Sequence, residues 1–254
     1  MSATAGVITE FPIPTANSNS FGITTGPDGN VWFTELGGNQ IGRITPQGTI
    51  TEFPLPTVGS NPHGITAGPD GNLWFTAAQA SKIGRITPEG TITEFPTSGG
   101  LLAFIAAGPG GNLWFTVSEP PQIGRITSEG VITEFPTPTA NSFPFGITAG
   151  PDGNLWFIEN QANQIGRITP EGVVTEFAIP TANSNPQDIT TGPDGNLWFT
   201  ELAGKIGRIT PEGVITEFAI PTANSSPAAI TAGPDGNLWF TESNANQIGR
   251  ITPK

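Results

Sequence analysis

Gly150-Pro151-Asp152-Gly153-Asn154-Leu155-Trp156-Phe157 joins a tight-turn signal to a short apolar run, and the tryptophan of that run recurs along the whole chain. Trp32, Trp74, Trp114, Trp156, Trp198 and Trp239 follow one another at spacings of 42, 40, 42, 42 and 41 residues. Self-similarity at such a period marks a repeat architecture, in which each unit buries its apolar face against the next. The neighbours repeat as well. Ile147-Thr148-Ala149 leads into the turn, and Gln164-Ile165-Gly166-Arg167-Ile168-Thr169 follows the apolar run. A second turn and Val173-Val174-Thr175-Glu176-Phe177 complete the unit.

Four strand-sized segments fit in each period. In the first full unit they are Phe21–Thr25, Val31–Glu35, Gln40–Thr45 and Thr49–Phe53, all rich in Ile, Thr, Phe and Trp and bounded by Gly, Pro, Asn and Asp. The second is apolar without alternation, as suits a strand buried on both faces. In Gly26-Pro27-Asp28-Gly29-Asn30, proline presets the first turn corner and Gly29 stands where a left-handed residue is needed. Residues 26 and 30 should therefore end two strands of a tight hairpin. Thr45-Pro46-Gln47-Gly48-Thr49 uses the same chemistry. No segment shows helical periodicity over ten residues. The reading is all-β: a six-bladed β-propeller of four-stranded antiparallel blades.

The ends fit a closed ring. Val7–Phe11 matches a fourth strand with no blade before it, and Gln247–Thr252 matches a third strand with no fourth after it. Residues 5–12 are expected to complete the blade of residues 228–254, closing one domain over residues 1–254 and protecting the strand edges.

Composition narrows the partners. A net charge of −12 opposes binding to nucleic acid, whose phosphates need a basic footprint. There is no cysteine, hence no disulfide or thiolate metal site. Neither a signal peptide nor an apolar run of about 18 residues is present, so a soluble, monomeric chain is expected, cytoplasmic or recombinant and without a membrane partner. Histidine occurs once, as His63, and tyrosine not at all.

Six near-identical units point to function where they differ. The Pro-Asp-Gly-Asn turns are nearly uniform, Gly110 replacing the aspartate in the third copy. Length changes fall at the other end: the connection from Phe95 to Phe104 and the loop after Glu201 are shorter than their counterparts. Loops on a rigid frame carry recognition, so that end is the candidate functional face. Counting from the turn places Phe21 level with Glu35 at the channel mouth. It likewise pairs His63 with Ala77, Phe145 with Glu159, Gln187 with Glu201, and Ala228 with Glu242. The next inner position reads Gly22, Gly64, Phe104, Gly146, Asp188 and Ala229. Candidate mouth residues are thus Phe21, Glu35, Phe104, Phe145, Glu159, Gln187, Asp188, Glu201 and Glu242. The six arginines and the six Thr-Glu-Phe glutamates occur once per unit and read as structural.

Pro62-His63-Gly64-Ile65-Thr66-Ala67-Gly68-Pro69-Asp70-Gly71-Asn72-Leu73-Trp74-Phe75-Thr76 resembles the virginiamycin B lyase (streptogramin lyase) family, as do Lys82 to Gly90 and Thr93 to Pro96. The resemblance covers nearly the whole chain. It implies seven-bladed propellers that open cyclic streptogramin B antibiotics by elimination at an ester, with Mg²⁺, mouth histidines and a glutamate. Carried onto this chain, His63 matches the family histidine as general base, and Glu35, Glu159, Glu201 and Glu242 match carboxylates for Mg²⁺. With six units and one histidine, the residues favour a non-catalytic scaffold or binding module, natural and recently amplified or engineered, with no cofactor. Its ligand would be a small molecule or peptide at the mouth. The alternative is a Mg²⁺-assisted carbon–oxygen lyase.

Overall fold

The computed structural model describes residues 9–253. Six antiparallel meanders follow one another. The first blade is β1 (Ser20–Thr25), β2 (Val31–Glu35), β3 (Gln40–Ile44) and β4 (Ile50–Pro54). The second is β5 (Pro62–Ala67), β6 (Leu73–Ala77), β7 (Lys82–Ile86) and β8 (Ile92–Pro96). The third is β9 (Leu102–Ala107), β10 (Leu113–Val117), β11 (Gln122–Ile126) and β12 (Ile132–Pro136). The fourth is β13 (Pro144–Ala149), β14 (Leu155–Glu159), β15 (Gln164–Ile168) and β16 (Val174–Ala178). The fifth is β17 (Pro186–Thr191), β18 (Leu197–Glu201), β19 (Lys205–Ile209) and β20 (Ile215–Ala219). The sixth is β21 (Pro227–Ala232), β22 (Leu238–Glu242) and β23 (Gln247–Ile251). This is a six-bladed β-propeller whose last sheet has three strands among the described residues. Of residues 5–12, expected to complete the last blade, 5–8 lie outside the described residues and 9–12 are not in a strand. None of the described helices is long and apolar enough to cross a membrane.

The turns form as their residues dictate. The Gly26 amide donates to the Asn30 carbonyl at 2.8 Å, and Gly29 adopts a φ of 75°. The core lies between blades. Trp156 of the fourth blade packs with Ile189, Leu197, Phe199 and Ile209 of the fifth, and the four other joints between consecutive blades repeat this arrangement. Within each blade, the phenylalanine after the tryptophan lays its ring on the glycine of the third strand. A Cβ at Gly166 would sit 2.1 Å from the Phe157 ring, which is why no side chain fits there.

The first five arginines are held by stacking rather than by an acid, whereas Arg250 also lies 3.9 Å from Asp235. Arg167 lies 5.5 Å from the Trp156 ring centroid and 5.6 Å from that of Phe177. Its Nη1 then donates to the Pro211 carbonyl in the next blade at 2.9 Å. Arg43, Arg85 and Arg125 reach Pro88, Ser128 and Pro170 in the same way. The Thr-Glu-Phe glutamates have a separate task, binding the loop that enters their own blade: Glu176 accepts from the Thr139 amide at 2.9 Å and its hydroxyl at 2.8 Å.

The third blade shows what the turn aspartate contributes. In other blades it accepts from the indole, as Asp152 does from Trp156 Nε1 at 3.1 Å. With Gly110 in its place, the buried Trp114 Nε1 has no partner. Gly110 itself sits at a φ of 70°, a conformation that aspartate rarely takes, so Gly110→Asp has to flip the turn before it can meet the indole. That cost offsets a gain of about 1 kcal/mol, and the urea midpoint should stay close to that of the parent chain at constant slope.

Candidate functional site

The inner strands pack side by side around the axis, β1 on β5, β5 on β9, and so on to β17 on β21. Their first residues surround a cavity of about 750 Å³. One wall is aromatic. Phe21 stacks on His63 at 4.0 Å between centroids, the Phe104 ring meets His63 edge-on at 5.1 Å, and Phe145 meets Phe104 edge-on at 4.9 Å. Facing it stand Gln187 and Asp188 from β17, with Ala228 and Ala229 from β21 leaving open space beside them.

Of the mouth residues expected from sequence, Phe21, Phe104, Phe145, Gln187 and Asp188 line this cavity, whereas His63 packs on the Phe21 and Phe104 rings without lining it. Glu35, Glu159, Glu201 and Glu242 are buried and do not line it. The reason is a one-residue bulge. The pairing follows the turn as far as Ile23 with Phe33, but then Ser20, not Phe21, lies opposite Glu35. Pro62, Pro144, Pro186 and Pro227 take the same place opposite Ala77, Glu159, Glu201 and Glu242. The bulge is built around a threonine hydroxyl. Thr34 Oγ1 accepts from the Gly22 amide at 2.9 Å and donates to the His63 carbonyl of the next blade at 2.9 Å. Thr76, Thr116 and Thr200 do the same toward Ala103, Phe145 and Ala228.

Three of the displaced glutamates face their own blade's loop-binding carboxylates. Burial pushes Glu35 up to about 7, with the charge of Glu52 adding to the shift and Gln40 opposing it. Burial does the same to Glu159, also to about 7, with Glu176 adding and Ser142 opposing. Glu201 is raised to about 7 by burial and then by Glu217. In the second blade Ala77 replaces the glutamate, and Lys82 pairs with Glu94 at 2.7 Å. The second carboxylates are the Thr-Glu-Phe glutamates read as structural from the sequence; what went unrecognised is that they face the displaced glutamates and pair with Lys82 and Lys205. The signal was present in the joint change of Glu to Ala and Gln to Lys between the first and second units.

His63 is half-buried, and its Nδ1 lies 3.2 Å from the Ala103 carbonyl oxygen. Since a carbonyl only accepts, that contact places the proton on Nδ1 and leaves Nε2 as the basic nitrogen. Burial lowers its pKa below 6.5, the hydrogen bond to Ala103 partly opposing. Asp188 is fully engaged by backbone. Oδ1 accepts from Ile189 at 2.9 Å and Oδ2 from Ile230 of the sixth blade at 3.0 Å. Burial nevertheless raises its pKa to about 6.

Magnesium, which the family resemblance implies, does not fit these residues. The four glutamates belong to four separate blades. Among the described residues, no three His, Asp or Glu side chains converge as metal ligands would.

The model of the virginiamycin B lyase family matches residues 2–100 and 95–254. The virginiamycin B lyase of Bacillus licheniformis is 51% identical over 41 residues, 16% of this chain and 14% of that protein. The curated relatives are thus matched over only 14% of their length. Solved structures match far more extensively. The virginiamycin B lyase of Staphylococcus aureus superposes with a TM-score of 0.93 at 45% identity, over 98% of this chain and 85% of that one. A catalytically inactive variant of the Staphylococcus aureus enzyme, solved with quinupristin, gives 0.90 at 47% identity over 95% and 84% of the two chains. With both halves of its length matched by the family model, the chain belongs to the virginiamycin B lyase family.

Proposed function

We propose that this chain is a non-catalytic binding module. It holds a small molecule or peptide by an aromatic or aliphatic group against Phe21, Phe104 and Phe145, whose rings line the cavity, with His63 packed against Phe21 and Phe104 outside that lining. The observation that carries the reading is the composition of the mouth: a continuous aromatic wall in a cavity of about 750 Å³ that the four glutamates do not reach. Apolar cavities with few polar groups bind by burial and are oriented by those groups. Gln187 offers its Oε1 as an acceptor, its Nε2 being held by the Asn185 carbonyl and side-chain oxygen, while Asp188 already serves two amides.

A second reading, a carbon–oxygen lyase, draws support from His63. Its neutral imidazole with a free Nε2 is competent to remove a proton. Elimination also needs a group to stabilise the leaving carboxylate, and among the described residues no cationic side chain borders the cavity. Quinupristin, found with the Staphylococcus aureus relative, is the first probe for both readings. Calorimetry should give saturable binding that Phe104→Ala weakens about tenfold, while mass spectrometry with Mg²⁺ present finds the ligand unopened. Ring opening that disappears in His63→Ala, with melting unchanged, would replace the binding module by the lyase.

A further inference from the structure

The lining of the mouth has its hydrogen-bond donors occupied and its acceptors free. The amides of Gly22, Gly64, Phe104, Asp188 and Ala229 all donate to threonine hydroxyls on the second strands, at 2.9 to 3.2 Å. Backbone N–H groups are what a bound anion would use, and these are taken. Gln187 is set in the same sense. Its Nε2 donates to the Asn185 carbonyl at 3.3 Å and to Asn185 Oδ1 at 3.1 Å, and Asn185 Oδ1 also accepts from Asn160 Nδ2 at 2.6 Å. With the nitrogen fixed by two acceptors, Oε1 is left as the group that can meet a ligand. Asp188 accepts from the Ile189 and Ile230 amides, which engages two of the roughly four acceptor positions of a carboxylate. Thr231, the remaining polar side chain of the lining, lies nearer the far end of β21.

Charge follows the same pattern. Asp188 is the charged side chain that lines the cavity, and among the described residues no lysine or arginine joins it. Lys82 and Lys205 are paired with Glu94 and Glu217, and the six arginines stand on third strands. Behind the lining come further acids: Glu159 and Glu201 lie opposite Pro144 and Pro186, the residues just before Phe145 and Gln187. Burial lowers the pKa of His63, so its ring adds no positive charge at neutral pH. The phenylalanines act in the same direction, because an aromatic face is the negative part of its quadrupole. Phe104 and Phe145 stand at 80° with centroids 4.9 Å apart, and Phe21 lies 6.1 Å from Phe104, so the rings make a corner rather than a flat stack.

We propose that the mouth selects organic cations: a protonated amine on an apolar body, with the body against Phe21, Phe104 and Phe145 and the ammonium on Gln187 Oε1 and the Asp188 carboxylate. Ala228 and Ala229 leave room for that head group beside the two acceptors. An ammonium supplies N–H donors and positive charge together, the two things this lining lacks. An alcohol supplies one donor and no charge. A carboxylate meets acceptors and a like charge. The inference rests on the reading of the chain as a binding module and goes beyond it by fixing the charge of what is bound.

Titration calorimetry of the full chain with phenylbutylamine, phenylbutanol and phenylbutyrate, which share one apolar body, isolates the effect of charge. The amine should bind one per chain and roughly tenfold more tightly than the alcohol, with the acid weaker than both. Gln187→Glu should widen the gap between amine and acid, and Gln187→Lys should reverse their order. Equal affinity for amine and alcohol, or an order that Gln187→Lys leaves unchanged, overturns the proposal while the binding module stands. Butylamine binding as tightly as phenylbutylamine also overturns it, since attraction to the acidic surface at large then accounts for the effect. If none of the three saturates, the proposal falls, and the quinupristin titration decides separately whether the binding module falls with it.

Discussion

Trp156→Ala is expected to remove about 3–5 kcal/mol of stability, seen as a fall of about 10 °C in melting temperature. The side chain is fully buried at the joint between the fourth and fifth blades. Truncation empties a site that both blades line, and the rigid sheets cannot collapse into it. Three further contacts go with it. Phe177 loses a stacked partner at 5.5 Å, Arg167 loses one of its two aromatic faces, and the Asp152 carboxylate loses the indole donor. Trp239→Ala should cost far less, because its site is half open. Equal losses at the two positions would contradict this difference in burial, so parallel urea titrations of the two variants check both claims.

Stability should also rise as the pH falls from 8.5 to 5.5. A carboxyl group whose folded pKa stands above its unfolded value of 4.5 takes up its proton earlier in the folded state. Glu35, Glu159 and Glu201, each raised to about 7, therefore weaken the fold above neutrality and cease to do so as the pH approaches 4.5. For Glu159, without solvent exposure, the difference is on the order of 3 kcal/mol. Asp188, raised to about 6, acts in the same direction. His63 opposes modestly below 6.5, since it is harder to protonate in the folded state. The acid limit comes from other groups. Burial opposes, but the hydrogen bonds of Asn154 and Trp156 hold Asp152 below its ordinary value, and those of Thr181 and Lys205 do the same for Glu217. Their contribution is present above about 4.5 and is lost as the pH falls through the lowered values. Glu159→Gln should raise the melting temperature at pH 8.5, leave it little changed at pH 5, and flatten the profile. A profile identical to that of the parent chain would show that Glu159 is not the source.

Much of this architecture could be read from the repeat unit. The tryptophan spacing gave the number of blades, and the Gly-Pro-Asp-Gly-Asn turns gave strand limits that hold to within a residue. The aromatic mouth was also accessible, because Phe21, His63, Phe104 and Phe145 break an otherwise uniform pattern. What could not be read was the bulge. Alternation along a strand assumes unbroken pairing, and one extra residue moves a side chain from one environment to another. The amide that drives the bulge belongs to the backbone, and its partner, Thr34 and the equivalent threonines, looks like any strand residue. The four glutamates consequently left the mouth for the interior. The arginine acceptors were hidden for a related reason, since carbonyl groups carry no signature in a sequence.

The threonine bridges have a consequence for how such a protein changes over time. His63, Ala103, Phe145 and Ala228 all present the same main-chain oxygen to the preceding wedge, whatever side chain they carry. The fastening between neighbours is therefore blind to the identity of the residue that looks into the pore. A duplicated unit can be inserted, or a pore residue exchanged, without a compensating change next door. Recognition can thus diversify at the rim while the joinery beneath it stays the same.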